Sequence, residues 1–144
     1  MAEMIPEDQG HIVLVDLGIV PAGTDPVFVM PDRVRWRLKS VQGILTTGVN
    51  VADRIPELSI LFGANEVLRI TASQLLAASG VFIFGWMEGE RALAVAGQTS
   101  RVTALPRNFL LNNAATIQII TTAIDPADVW TDVFIVAEEW IEPL

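Results

Sequence analysis

The sequence predicts an all-β fold: an antiparallel β-sandwich with jelly-roll winding, about eight to ten strands and little helix. Three observations carry this. Short runs rich in Val, Ile, Thr, Phe and Trp recur along the whole chain, the composition that suits pleated, half-buried surfaces. Gly, Pro, Asn and Asp clusters separate the runs at short intervals, as turns between strands require. Helical periodicity is nearly absent, which excludes alternating βα architectures.

Taken in order, strands are expected at His11–Leu17, Val27–Met30, Arg33–Thr46, Glu57–Phe62, Glu66–Thr71, Val81–Met87, Ala92–Ala96, Ser100–Thr103, Ala115–Ala123 and Val129–Trp140. Turns fall at Pro21–Pro26, Pro31-Asp32, Gly63-Ala64-Asn65, Glu88-Gly89-Glu90, Asn112-Asn113 and Asp125-Pro126. Gly63-Ala64-Asn65 between two apolar runs reads as a hairpin loop. Ala72–Ser79 could form two helical turns stopped by Gly80, but a loop crossing between the sheets is preferred. Ile44–Asp53 echoes Ile119–Asp128: each runs through a Thr-Thr pair into a turn ending in Ala-Asp.

At 144 residues the chain suits one domain and can bury a core without disulfides or metal. The expected division is an acidic amino-terminal arm over residues 1–10 and one β-sandwich domain over residues 11–144. The start, Met1–Asp8, lacks the basic and apolar stretches of a signal peptide. No stretch nears the roughly 20 apolar residues that span a bilayer as a helix. With 17 acidic against nine basic residues the net charge is −8, which opposes nucleic acid and anionic membranes at long range. Neither is expected as a partner.

Catalysis has few carriers. No cysteine is present, which removes thiolate nucleophiles and Cys-ligated zinc. His11 is the single histidine, and no G-x-S-x-G elbow or phosphate-binding glycine loop accompanies it. No enzyme activity, cofactor or metal is therefore expected. Asp125, Asp128 and Asp132 could supply oxygen ligands to a hard cation, although aspartates that cap their own turns explain the same residues. Glu138 and Glu139 are adjacent in a strand and so point to opposite faces; a solvated strand end accounts for them.

The sharpest local feature is Arg33-Val34-Arg35-Trp36-Arg37-Leu38-Lys39. Strand geometry places Arg33, Arg35, Arg37 and Lys39 on one face and Val34, Trp36 and Leu38 on the other. The basic line is either a solvated outer face or a docking ridge for an acidic subunit, for which arginine's planar fork is suited. Trp36 and Trp130 fall on apolar faces and read as core. Trp86, beside the Glu88–Glu90 turn, and Trp140, near the end, are candidate exposed anchors, since buried tryptophans are frequent interface hot spots.

Several segments occur in an order that resembles small jelly-roll structural proteins of tailed bacteriophages. They are Val34–Val41, Leu45-Thr46-Thr47, Asp53-Arg54-Ile55-Pro56, Leu105-Pro106, Phe109–Leu111, Thr116–Ile119, Asp128-Val129-Trp130-Thr131-Asp132-Val133 and Val136-Ala137-Glu138-Glu139-Trp140. The likeness spans roughly residues 33–141, with 72–102 more apolar than the pattern. It implies a virion component, made in the host cytoplasm: a capsid decoration (cement) protein that binds the major capsid protein lattice and itself. A trimer would suit a lattice threefold axis. A collar, connector or tail position, including a receptor- or glycan-binding module, is also compatible. The pattern carries no catalytic or ligand set.

Overall fold

The computed structural model describes residues 10–72, 78–89, 100–112 and 114–141. They form ten strands: β1 (His11–Asp16), β2 (Val27–Val29), β3 (Val34–Thr46), β4 (Ile55–Phe62), β5 (Asn65–Thr71), β6 (Val81–Glu88), β7 (Ser100–Leu105), β8 (Leu110–Leu111), β9 (Ala115–Thr122) and β10 (Val129–Ile141). Two sheets pack as a β-sandwich. One runs β1-β10-β3-β6-β7, with β8 also paired to β3; the other runs β2-β9-β4-β5. Pairing is antiparallel except between β6 and β7, which are parallel.

Nine of the expected strands fall on described residues and are present, with ends shifted by a few positions. The expected strand Ala92–Ala96, residues 1–9 of the acidic arm expected over 1–10 and most of the Ala72–Ser79 loop lie outside the described residues. β8 went unforeseen, because two residues carry no alternation to read. β4 begins two residues before the expected start, at Ile55, and takes in Pro56, a residue that sheets accept at edges and strand starts. Its carbonyl accepts from Ala72 N–H (2.9 Å) just past the end of β5, so the missing N–H falls at the ladder's end. The β4–β5 hairpin forms where expected: Phe62 pairs with Asn65, and Gly63 supplies the left-handed φ of 60° that the tight loop requires.

Alternation explains the core. In β3, Val34, Trp36, Leu38, Val41 and Leu45 point inward and are buried. They meet Leu58 and Ile60 of β4 and Ala115, Ile117 and Ile119 of β9 from the facing sheet. Aromatic rings tie the layers. Phe28 of β2 stacks on Trp36 of β3, centroids 5.5 Å apart and planes 8° from parallel. Phe84 lies between Trp86 and Trp130, at 6.2 and 5.9 Å.

Each buried indole N–H also has a partner, as burial demands. Trp36 Nε1 donates to Glu139 Oε2 (2.8 Å), Trp86 Nε1 to Ile70 O (3.3 Å) and Trp130 Nε1 to Thr121 Oγ1 (3.2 Å). The last two bonds cross between sheets. Gly43, on the inner face of β3, makes room for Trp130: a Cβ there would lie 3.1 Å from the indole ring.

Candidate functional site

Two of the segments singled out in the sequence meet in space. Arg54, from Asp53-Arg54-Ile55-Pro56, and Asp128, from Asp128-Val129-Trp130, are both fully buried. Arg54 Nε donates to Asp128 Oδ2 at 2.6 Å. The same carboxylate accepts from Gly48 N (2.7 Å) and Asp125 N (2.8 Å), and Arg54 Nη2 donates to Asn50 O (2.8 Å). Asn50 Nδ2 donates to Asp125 Oδ2 (2.8 Å). The two echoing turns are thus bonded to each other. Burial opposes ionisation of Asp128, but the hydrogen bonds from Arg54, Gly48 and Asp125 outweigh it and hold its pKa below the usual carboxylate value.

This hub is structural. Asp125 Oδ1 caps its own turn through Ala127 N (2.9 Å), the turn role expected from sequence. Among the described residues no group of three or more acidic or histidine side chains is placed to hold a metal ion. His11 is exposed at the start of β1. A hollow of about 220 Å³ is lined by Leu17, Ile19, Val20, Thr24, Asp25 and their neighbours. Its lining includes neither His11 nor Asp125, Asp128 or Asp132.

The basic line is shorter and more engaged than the alternation suggested. Arg33 lies in the turn before β3 with a left-handed φ of 64°, so strand geometry does not align it with the others. Arg35 is exposed on the outer face opposite Trp140. Arg37 pairs with Glu138 through Nη2 and Oε2, donates to Asn108 Oδ1 (3.1 Å) and lies 6.0 Å from the centroid of the half-buried Trp140 ring. Lys39 reaches Glu88 Oε1 at 3.4 Å, from a β-bulge where Val136 and Ala137 face Ser40 and Leu38. Glu138 also accepts from Gly10 N (3.0 Å). That bond, against some burial and with help from Arg37, lowers its pKa. Glu138 and Glu139 do point to opposite faces, but both are bonded, so they are not a solvated strand end.

Trp86 is 1% exposed and is not a surface anchor. All of Val81–Met87 is apolar or glycine, so alternation alone could not assign its phase. Pairing with Val41 of β3 places it inward.

What sequence reading missed is the contrast between the two outer faces. On the β2-β9-β4-β5 sheet, a polar chain crosses three strands. Arg69 bonds Glu66 (2.7 Å) and Glu57 (3.1 Å), Ser59 Oγ donates to Glu66 (2.6 Å), and Gln118 Nε2 reaches Ser59 Oγ (3.4 Å). On the other sheet, the register sets Leu14 beside Val136 and Ile44 beside Ile83. Phe134, Val81, Met87 and Val102 complete this outer surface, broken by Ser40, Gln42 and Gly85. Leu14 is 65% exposed, Val81 52% and Ile83 46%. The ion pairs of Arg37 and Lys39 border one end.

No protein-family model, no curated protein and no solved structure matches the chain.

Proposed function

We propose that the chain is a non-enzymatic structural subunit of a bacteriophage virion, a capsid decoration or cement protein. It lays the apolar outer face of the β1-β10-β3-β6-β7 sheet against the shell. The observation that carries this is the contrast of the faces: three strands of one sheet are linked by bonded charges and polar groups, while the other groups Leu14, Phe134, Val136, Ile44, Val81 and Ile83 on its outer side, interrupted by Ser40 and Gln42. Contiguous exposed apolar surface marks binding sites, where scattered apolar residues do not.

Two further points support the reading. The strand orders β1-β10-β3-β6 and β2-β9-β4-β5 are those a jelly-roll winding would produce, which supports that finer reading of the sandwich. Two of the segments that resemble phage structural proteins, Asp53–Pro56 and Asp128–Val133, also meet in one buried hub through Arg54 and Asp128. Attachment adds stability to the shell by mass action, because the subunit binds the assembled state. A stable contact buries about 800 Å² per partner.

The test is co-sedimentation of the full chain with assembled phage heads. Ile83→Lys and Val81→Lys should weaken binding about tenfold or more, and Val29→Lys on the opposite sheet should leave it intact. Binding that ignores all three substitutions, or no binding to heads, would overturn the proposal. Recovery on tails or collars alone would move the subunit to that position.

A further inference from the structure

Among the described residues no strand covers the edge of β1 away from β10, and that edge has the geometry of a strand-pairing site. β1 pairs with β10 in unbroken register from His11↔Glu139 to Asp16↔Phe134. Leu17 N–H donates to Val133 O at 3.0 Å. In an antiparallel ladder, hydrogen-bonded pairs recur at every second residue. Val15, Val13 and His11 therefore share the Leu17 orientation toward β10. The backbone N–H and C=O groups of Ile12, Leu14 and Asp16 point the other way, where no described strand pairs.

Edges left open in this way usually carry a guard. β2 is three residues long and lies between Pro26 and Pro31. β5 displays Glu66 and Arg69, and its pairing with β4 is bulged. β1 has no lysine, arginine, proline or bulge. Ile12 and Leu14 stand 66% and 65% exposed on its outer face.

We propose that a second copy of this chain pairs antiparallel with β1, about a two-fold axis normal to the sheet and passing at Val13. Such an axis keeps outer faces outer, so each residue must meet one from the same face. Centring on Val13 sets Ile12 opposite Leu14 of the second copy, and Leu14 opposite its Ile12. Both pairs then exchange the N–H···O bonds their backbones direct outward. The four exposed apolar side chains cover one another, the cross-strand contact that stabilises sheets. No other strand is needed to meet the alternation, because β1 is its own complement. The two apolar faces merge into one surface. The inference rests on an edge that no described strand covers, so it stands or falls separately from the docking proposed above.

Charge sets a signature. Each copy carries −8, so the pair assembles against long-range repulsion that salt screens. A basic foreign strand on the same edge would show the opposite dependence.

The test is sedimentation velocity on the purified full chain. The expected result is a dimer of the 15.7 kDa chain, tightening between about 0.05 and 0.5 M salt. Leu14→Lys and Ile12→Lys, at positions already exposed, should each weaken association about tenfold or more. Leu110→Lys, 58% exposed on the same face but away from the edge, should not. In the unaltered chain, amide exchange at Leu14 should slow as concentration rises. A monomer at about 100 μM, a trimer, a dimer untouched by both edge substitutions, or a Leu14 amide whose exchange ignores concentration would overturn the inference.

Discussion

Arg54 and Asp128 form an ion pair with no exposed surface, 2.6 Å apart, although 74 positions separate them in the chain. The pair ties the turn that follows β3 to the turn that precedes β10. Breaking a buried pair on one side leaves the surviving charge uncompensated, which costs about 3–5 kcal/mol. Asp128→Ala also strips the acceptor from the Gly48 and Asp125 amides. Its urea midpoint should fall accordingly at unchanged slope. A midpoint near that of the unaltered chain would show that the hub is dispensable.

The same carboxylate makes the fold acid-sensitive. Asp128 is held below its ordinary pKa in the folded chain, and so is Glu138. The unfolded chain therefore takes up these protons first as pH falls. The stabilisation is complete above about pH 5 and is lost progressively as pH drops through the ordinary carboxylate range near 4 toward the lower folded values. Urea midpoints at neutral pH and near pH 3 should differ strongly, and Asp128→Asn should narrow that difference.

Gly43 is a packing glycine. A methyl group there meets Trp130 at 3.1 Å on one side and Val133 Cγ2 at 3.1 Å on the other, and both neighbours are buried. Gly43→Ala should destabilise by about 1–3 kcal/mol, read by thermal denaturation. Gly63→Ala, where nothing lies within 4 Å, tests the turn's left-handed backbone without any core clash.

Arg37 and Glu138 face each other across β3 and β10. Arg37→Glu sets two carboxylates side by side and should lower stability, while the exchanged pair Arg37→Glu with Glu138→Arg should recover most of it. The coupling is expected near 1 kcal/mol, since both side chains keep some solvent. A double-mutant cycle measures it. Arg37 is thus a poor probe of docking, because its substitution also disturbs the fold.

These particulars show what sequence could and could not reveal. Val34, Trp36 and Leu38 were legible as core because period-two alternation with Arg35 and Arg37 sets their phase. Trp86 was not, because its neighbours are apolar on both sides. Arg54 reads locally as an exposed turn residue, and only the return of the chain at Asp128 explains its burial. Charged residues of the stripe could be placed on a face, but their partners Glu138 and Glu88 come from other strands. The apolar outer face was invisible for a related reason: Leu14, Val136, Ile44 and Ile83 come from four strands, and register alone brings them together.

The chain's lack of cysteine permits a direct measurement of which face docks. Ile83→Cys places one thiol on the apolar sheet, and Val29→Cys, 62% exposed, places one on the polar sheet. Alkylation rates are compared free and bound to assembled heads. Docking through the apolar face predicts that the thiol at position 83 becomes protected on binding while that at position 29 stays reactive. Equal reactivity at both positions in the bound state, or protection at 29 alone, would contradict it.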